Sequence, residues 1–185
     1  MLVKNIILKV CDFIENAELA RAIEEGDVLT TEQQELQDKL VKCFNLVLNE
    51  IASEYLPMVK VEKVKAKGDM IEFSKLNLRP CDIVYVKDSL GGNVQFRVFD
   101  QFLLIDKHDC EVEVCYNAYP NDLSFYQEID TKLSERVYAY GIVREYYFIQ
   151  TLYEDAKVWD ERFKNALAAA DRKKGETVLP RRRWI

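Results

Sequence analysis

The sequence predicts an α+β fold: a four-helix bundle of two N-terminal and two C-terminal helices, with an inserted antiparallel β meander and an extended C-terminal tail. Three observations predict it. Apolar residues recur at three- and four-residue steps toward both ends of the chain. Between Met58 and Tyr116 they alternate with polar ones instead. The final run, Thr177 to Ile185, holds Pro180 and three adjacent Arg. With 185 residues, 49% apolar and 31% charged, and only four Pro and six Gly, the chain suits one domain or two small joined units. It does not have the composition of a disordered or collagen-like chain.

The first helix is built on Val3, Ile6, Ile7, Val10, Phe13 and Ile14, and Gly26-Asp27 closes it. Thr31 with Gln34 forms a capping-box pattern for the second helix. Its stripe is Leu36, Leu40, Phe44, Val47 and Ile51, and Pro57 stops it. A short link between two helices predicts a hairpin over residues 1–57.

From Met58 the period becomes two. Val59 and Val61 alternate with Lys60 and Glu62, and Lys67-Gly68-Asp69 turns the chain into Met70–Phe73. Cys81–Val86, Val94–Val98, Phe102–Ile105 and Val112–Tyr116 follow, with Gly91-Gly92 and Lys107-His108-Asp109 as turns. About six short strands with short links predict an antiparallel meander over 58–118.

The helical period returns in 119–174, where the helices are expected to pack with 1–57. Leu133, Val137, Tyr140, Val143 and Tyr147 predict one helix from about Thr131 to Gln150. Thr151 with Glu154 predicts a cap for another, with Leu152, Ala156, Trp159, Phe163 and Leu167 as its face and Gly175 as its end. Residues 175–185 are expected to form the extended basic tail.

Charge is unevenly divided. Lys and Arg number 26 and Asp and Glu 32, a net of −6. Residues 172–185 place six cations against Glu176 alone, a net of +5, which leaves −11 on the other 171 residues. So acidic a body repels nucleic acid, because duplex binding depends on neutralising phosphates. The tail is the one segment suited to seek negative charge. Leu179, Pro180, Arg181, Arg182, Arg183, Trp184 and Ile185 have the Arg and Trp composition of an interface anchor.

Five Cys at scattered spacings give no disulfide framework and suit a reducing compartment. Lys4, Lys9 and Asp12 interrupt the apolar start, so it lacks a signal-peptide core, and no stretch approaches the ~18 apolar residues of a membrane span. The expected chain is soluble and intracellular, without membrane contact.

Reaction chemistry is thinly represented. His108, Cys110 and Cys115 are close in sequence, but there is no CxxC and no second pair, so no metal is expected. Any Cys/His nucleophilic scheme would have to use His108 in an open turn, so no catalytic residue is assigned. Glu111 and Glu113 share a solvated strand face. Gly91-Gly92 lacks the P-loop frame. No cofactor is expected. The aromatic run from Tyr138 to Trp159 covers more than one helix face. It makes Tyr146, Tyr147, Tyr153 and Trp159 candidates for a subunit interface, where such residues are enriched.

The order of elements, the stretch AYGIVREYYFIQTLYEDAKVWDERFKNAL (139–167) and the closing LPRRRWI resemble the head-to-tail adaptor, or connector, proteins of tailed bacteriophages and prophages. The motif-level likeness covers roughly 119–185. The resemblance implies a non-enzymatic virion protein, commonly a dodecameric ring docked beneath the portal protein, which lengthens the DNA channel and offers a platform to other neck and tail proteins. It implies that Leu179 to Ile185 dock on the portal and that double-stranded DNA passes an acidic channel wall without sequence-specific binding. The free chain could be a monomer. The implied location is the virion neck, and the host cytoplasm during assembly. The alternative is a small intracellular ligand-binding or regulatory protein with a pocket between sheet and helices. Another neck or tail-completion role stays open beside the first.

Overall fold

The computed structural model describes residues 1–172 and divides the chain into two compact units. One is Met1–Val47 with the described part of Leu123–Ile185. The other is Leu48–Asp122. The fold is α+β, but not the expected four-helix bundle with an inserted meander. The described residues form five α-helices and two three-stranded antiparallel sheets.

The helical unit begins with α1 (Val3–Phe13) and α2 (Ala17–Glu25). The expected single helix breaks between them. Glu15 turns left-handed at φ 57°, and Asn16 caps α2 by accepting the Leu19 N–H at 3.0 Å. Gly26, at φ 75°, ends α2 as expected of the C-terminal position. For α3 (Thr31–Glu50) the capping box lies one residue before the expected one. The Gln33 N–H donates to Thr30 Oγ1 and the Thr30 N–H to Gln33 Oε1. A π-turn, Ile51–Tyr55, follows before Pro57.

The chain re-enters this unit at Leu123, which Asn45 holds by a peptide-like pair of hydrogen bonds at 3.0 and 2.9 Å. Then come α4 (Glu135–Ile149) and α5 (Tyr153–Arg172). Between them Thr151 is not the expected cap. It takes φ 63°, and the Leu152 N–H returns to the Tyr147 carbonyl, closing the end of α4. The expected stop at Gly175 and the tail 175–185 lie outside the described residues.

Packing follows the apolar stripes. Val3, Ile6, Ile7 and Val10 of α1 are fully buried, and α1 lies on α4. Burial of each such side chain contributes roughly 1.5–3 kcal/mol. Phe44 of α3 meets Tyr138 of α4, with ring centroids 5.9 Å apart. The helices approach closely at Gly141. A Cβ there would stand 2.6 Å from Val47 Cγ1 and 3.1 Å from Phe163 Cε2. Three helices therefore meet where one residue has no side chain.

The sheet unit holds β1 (Met58–Lys65), β2 (Met70–Glu72), β3 (Pro80–Asp88), β4 (Phe96–Val98), β5 (Phe102–Ile105) and β6 (Glu111–Ala118). A meander would pair strands in chain order. Here β6 runs between β1 and β3, and β5 between β2 and β4. Burial explains the central place of β6. Val112, Val114, Tyr116 and Ala118 fill the core from one face while Cys115 is buried on the other. The turn Lys67–Met70, with Gly68 at φ 65°, carries β1 into β2, and the two sheets share one apolar core. Inside it the Tyr116 hydroxyl donates to Glu62 and accepts the Leu78 N–H at 3.4 Å. Burial first, and then the Glu62 hydrogen bond, push this hydroxyl up to about 12.

Two outcomes follow from these contacts. Gly141→Ala gains about 1 kcal/mol of helix propensity but overpacks the junction by about 1–3 kcal/mol. Chemical denaturation should therefore show a net loss of stability, and a gain would refute the packing account. The raised Tyr116 value stabilises the fold fully below an ordinary tyrosine value of about 10, and this contribution is lost as pH rises through about 12. Tyr116→Phe should flatten the fall in unfolding free energy over that alkaline window. An unchanged slope would show that another group carries it.

Candidate functional site

The residues singled out for chemistry are scattered. His108 is exposed in the turn between β5 and β6. Its neighbour Asp109, at φ 46°, closes the turn by accepting the Gly68 N–H at 2.9 Å and donating its own N–H to the Gly68 carbonyl. Cys110 packs against the sheet core, and Cys115 is buried in mid-strand. Among the described residues no three His, Cys, Asp or Glu side chains are grouped to hold a metal ion. Glu113 stands in register between Lys63 of β1 and Lys87 of β3, and accepts the Tyr85 hydroxyl at 3.3 Å. Gly91 and Gly92 belong to a loop organised by Asp88, which accepts the Leu90 and Gly92 N–H groups and pairs with Lys107.

The buried thiols are poor nucleophiles. Burial, and then Asp12, push Cys11 up to about 12, while burial, and then Glu145, push Cys43 to about 11. Cys81 is exposed on β3.

The aromatic run gives a more coherent picture. Trp159 is half-buried within its own unit, 5.2 Å from the Phe13 ring and 5.6 Å from Tyr140, with the Arg162 guanidinium 4.5 Å from its centroid. Tyr146, Tyr147 and Tyr153 lie elsewhere, at the turn joining α4 to α5. Tyr146 and Tyr147 are 5.7 Å apart, and Phe148 meets Tyr153 edge-on at 5.5 Å. Phe148 is 59% exposed, Tyr153 58%, Ile149 48% and Leu152 48%.

Four large apolar side chains thus share one turn in solvent, which is the kind of patch that marks an interaction surface. The sequence places Phe148 only within the general aromatic run, and Ile149 and Leu152 on helix stripes, and assigns none of the three to an interface. The signal was available in the run YYFIQTLY, whose apolar residues continue past the single face that α4 buries.

A salt-bridge cluster fixes the base of this corner. The Arg144 guanidinium reaches Glu145 at 2.7 Å and Asp160 at 3.3 Å, and lies 4.8 Å from the Phe163 ring centroid. Burial raises the Asp160 carboxyl, but hydrogen bonds from Lys164 and Arg144 outweigh it and hold the group below its ordinary value. Beside the cluster is an open groove of about 420 Å³, walled by Phe148, Tyr153 and Lys157 and floored by Ala156.

The sheet unit has its own groove of about 720 Å³, with Phe73, Asn77, Arg79, Asp100 and Gln101 in its lining. No Cys or His contributes to it. The anchor residues Leu179, Pro180, Arg181, Arg182, Arg183, Trp184 and Ile185 lie outside the described residues. No described helix is long and apolar enough to cross a membrane. A scan against protein-family models finds no match to this chain, and a search of curated proteins finds no similar sequence.

Thiol titration checks the burial pattern. In the native protein Cys81 should react first with an aromatic disulfide reagent, and half-buried Cys110 after it. Cys11, Cys43 and Cys115 should react only on unfolding. Cys81→Ser should remove the fast phase, and a fast phase that survives would place the accessible thiol elsewhere.

Proposed function

We propose that this chain is a non-enzymatic assembly protein of a tailed bacteriophage or prophage, a head-to-tail adaptor. It forms a ring, commonly a dodecamer, beneath the portal protein. The observation that supports this most is the α4–α5 corner, where Phe148, Ile149, Leu152 and Tyr153 stand exposed on a fixed helical hairpin. Such a surface suits protein contact, and a ring of heterologous contacts needs no two-fold patch. Its position inside 139–167, the stretch that resembles the adaptors, agrees with that use.

Charge supports the same reading. A body of net −11 would let double-stranded DNA pass without adhering, and Leu179 to Ile185 would grip the portal as a basic, aromatic arm. Weak single contacts would add up through many copies. The chain would work in the virion neck, and in the host cytoplasm before assembly. The groove around Arg79 and Gln101 is the observation that favours the other reading, a small ligand-binding or regulatory protein.

Gene neighbourhood separates the two, because portal and major capsid genes beside this one favour the adaptor. The direct test is binding to the purified portal. A chain lacking 178–185 should keep its circular dichroism spectrum and melting temperature while losing portal binding. A truncated chain that still docks would refute the assignment of those residues.

A further inference from the structure

The α4–α5 corner combines two features that a partner must satisfy together. The first is apolar area: Phe148, Ile149, Leu152 and Tyr153 are each about half exposed, and Phe148 and Tyr153 wall the groove floored by Ala156. The second is a rim of carboxylates. Glu154 and Asp155 occupy the exposed first turn of α5. Glu15 is exposed where α1 gives way to α2; burial, then Asp155, Tyr146 and Glu15 in that order, raise the Tyr147 hydroxyl. Among the described residues none of these three carboxylates forms an ion pair. Glu145 and Asp160 are already committed to Arg144. The matching occupant is an apolar and aromatic segment carrying several guanidinium groups, the group best suited to carboxylates and ring faces.

The chain supplies such a segment in Val178-Leu179-Pro180-Arg181-Arg182-Arg183-Trp184-Ile185. Its three Arg would suffice for three carboxylates, and Leu179, Trp184 and Ile185 would suit the apolar surface. Pro180 limits the backbone freedom lost on docking. Reach favours a neighbour's corner over the chain's own. From Tyr153 to Arg172, α5 leads away from the corner over roughly 29 Å at 1.5 Å per residue. Leu179 follows Arg172 by seven residues, a span of at most about 25 Å fully extended. Filling its own corner would demand a nearly fully extended return of the chain along α5, whereas a neighbour's corner makes no such demand.

We infer that residues 178–185 of one copy dock on the α4–α5 corner of a second copy, linking chains head to tail. The inference concerns copies of this chain alone, so it stands or falls separately from the portal reading. Because one segment cannot occupy both places, the portal and the neighbouring corner compete for it.

The test is a fluorescent peptide of residues 178–185 titrated onto a chain truncated after Thr177. Saturable binding is expected. It should weaken about ten-fold or more in Leu152→Ser/Tyr153→Ser, and by a similar factor in Glu154→Lys/Asp155→Lys, as loss of well-placed aromatic or ionic contacts does. Added salt should weaken the parent complex and have much less effect on the charge-reversed one. These positions are exposed, and unchanged melting curves would verify that both variants fold. Sedimentation of the full chain should show association that grows with concentration and is lost in Trp184→Ala. Absence of peptide binding, binding unaffected by either pair of substitutions, or a full chain that stays monomeric while the truncated one binds peptide, would each overturn the inference.

Discussion

The approach of three helices at Gly141 is the constraint on which the helical unit depends. Val47 of α3 and Phe163 of α5 occupy the space that any larger residue would need. Close packing here sets how far α4 stands from α5, and that spacing lets Arg144 bridge Glu145 and Asp160 across the hairpin. The ionic cluster contributes modestly to stability, since partly exposed pairs contribute about 0–1 kcal/mol. Its larger effect is on order. It holds the last turn of α4 against the first turns of α5, and so fixes Phe148 against Tyr153. The exposed corner is a consequence of a buried junction two helical turns away.

The sheet unit solves a different problem. Six strands of three to nine residues are too short to be stable singly, and two three-stranded layers with one shared core give each an apolar face to bury. The strand with the most to bury, β6, takes the centre of its sheet. Tyr116 then brings a hydroxyl into the core, and Glu62 and the Leu78 N–H satisfy it there. An unpartnered hydroxyl in that place would cost about 1–3 kcal/mol. Polar complementarity at one residue therefore helps to select this layer order over others with similar apolar burial.

Much of the fold was legible in local pattern, and most of the rest depends on non-local pairing. The stripes Val3–Ile6–Ile7–Val10 and Leu40–Phe44–Val47 did become buried faces. The break at Glu15–Asn16 was hidden because no Gly or Pro marks it before Gly26, although Asn16 with the following Glu18 is a start signal. The meander was the simplest reading of short links. Strand order, however, is decided by which strand can bury both faces, and the run Val112 to Ala118 carried that information in Cys115. At the candidate site the sequence singled out Tyr146, Tyr147 and Tyr153 but could not separate them from Trp159. Phe13, Tyr140 and Arg162, which surround Trp159, come from three places in the chain. Nor could spacing alone distinguish an apolar residue on the buried face of α4 from one, such as Phe148, that the end of the helix turns outward.

The same electrostatics bear on how a partner would be recognised. Carboxylates on a surface of net negative charge repel one another, and a cationic segment relieves that repulsion wherever it lands. Attraction of this kind is long-range and weakly selective, so it speeds encounter more than it fixes register. Selectivity has to come from short-range contact, and in the helical unit large apolar groups stand together in solvent on the α4–α5 turn. Leu90, 94% exposed, and Val28, 98% exposed, sit singly in loops and offer no comparable area. An acidic helix surface without the corner would bind basic segments indiscriminately, and an aromatic corner without its rim would bind apolar ones. Their coincidence on one hairpin would make recognition of an Arg-rich, Trp-bearing segment selective.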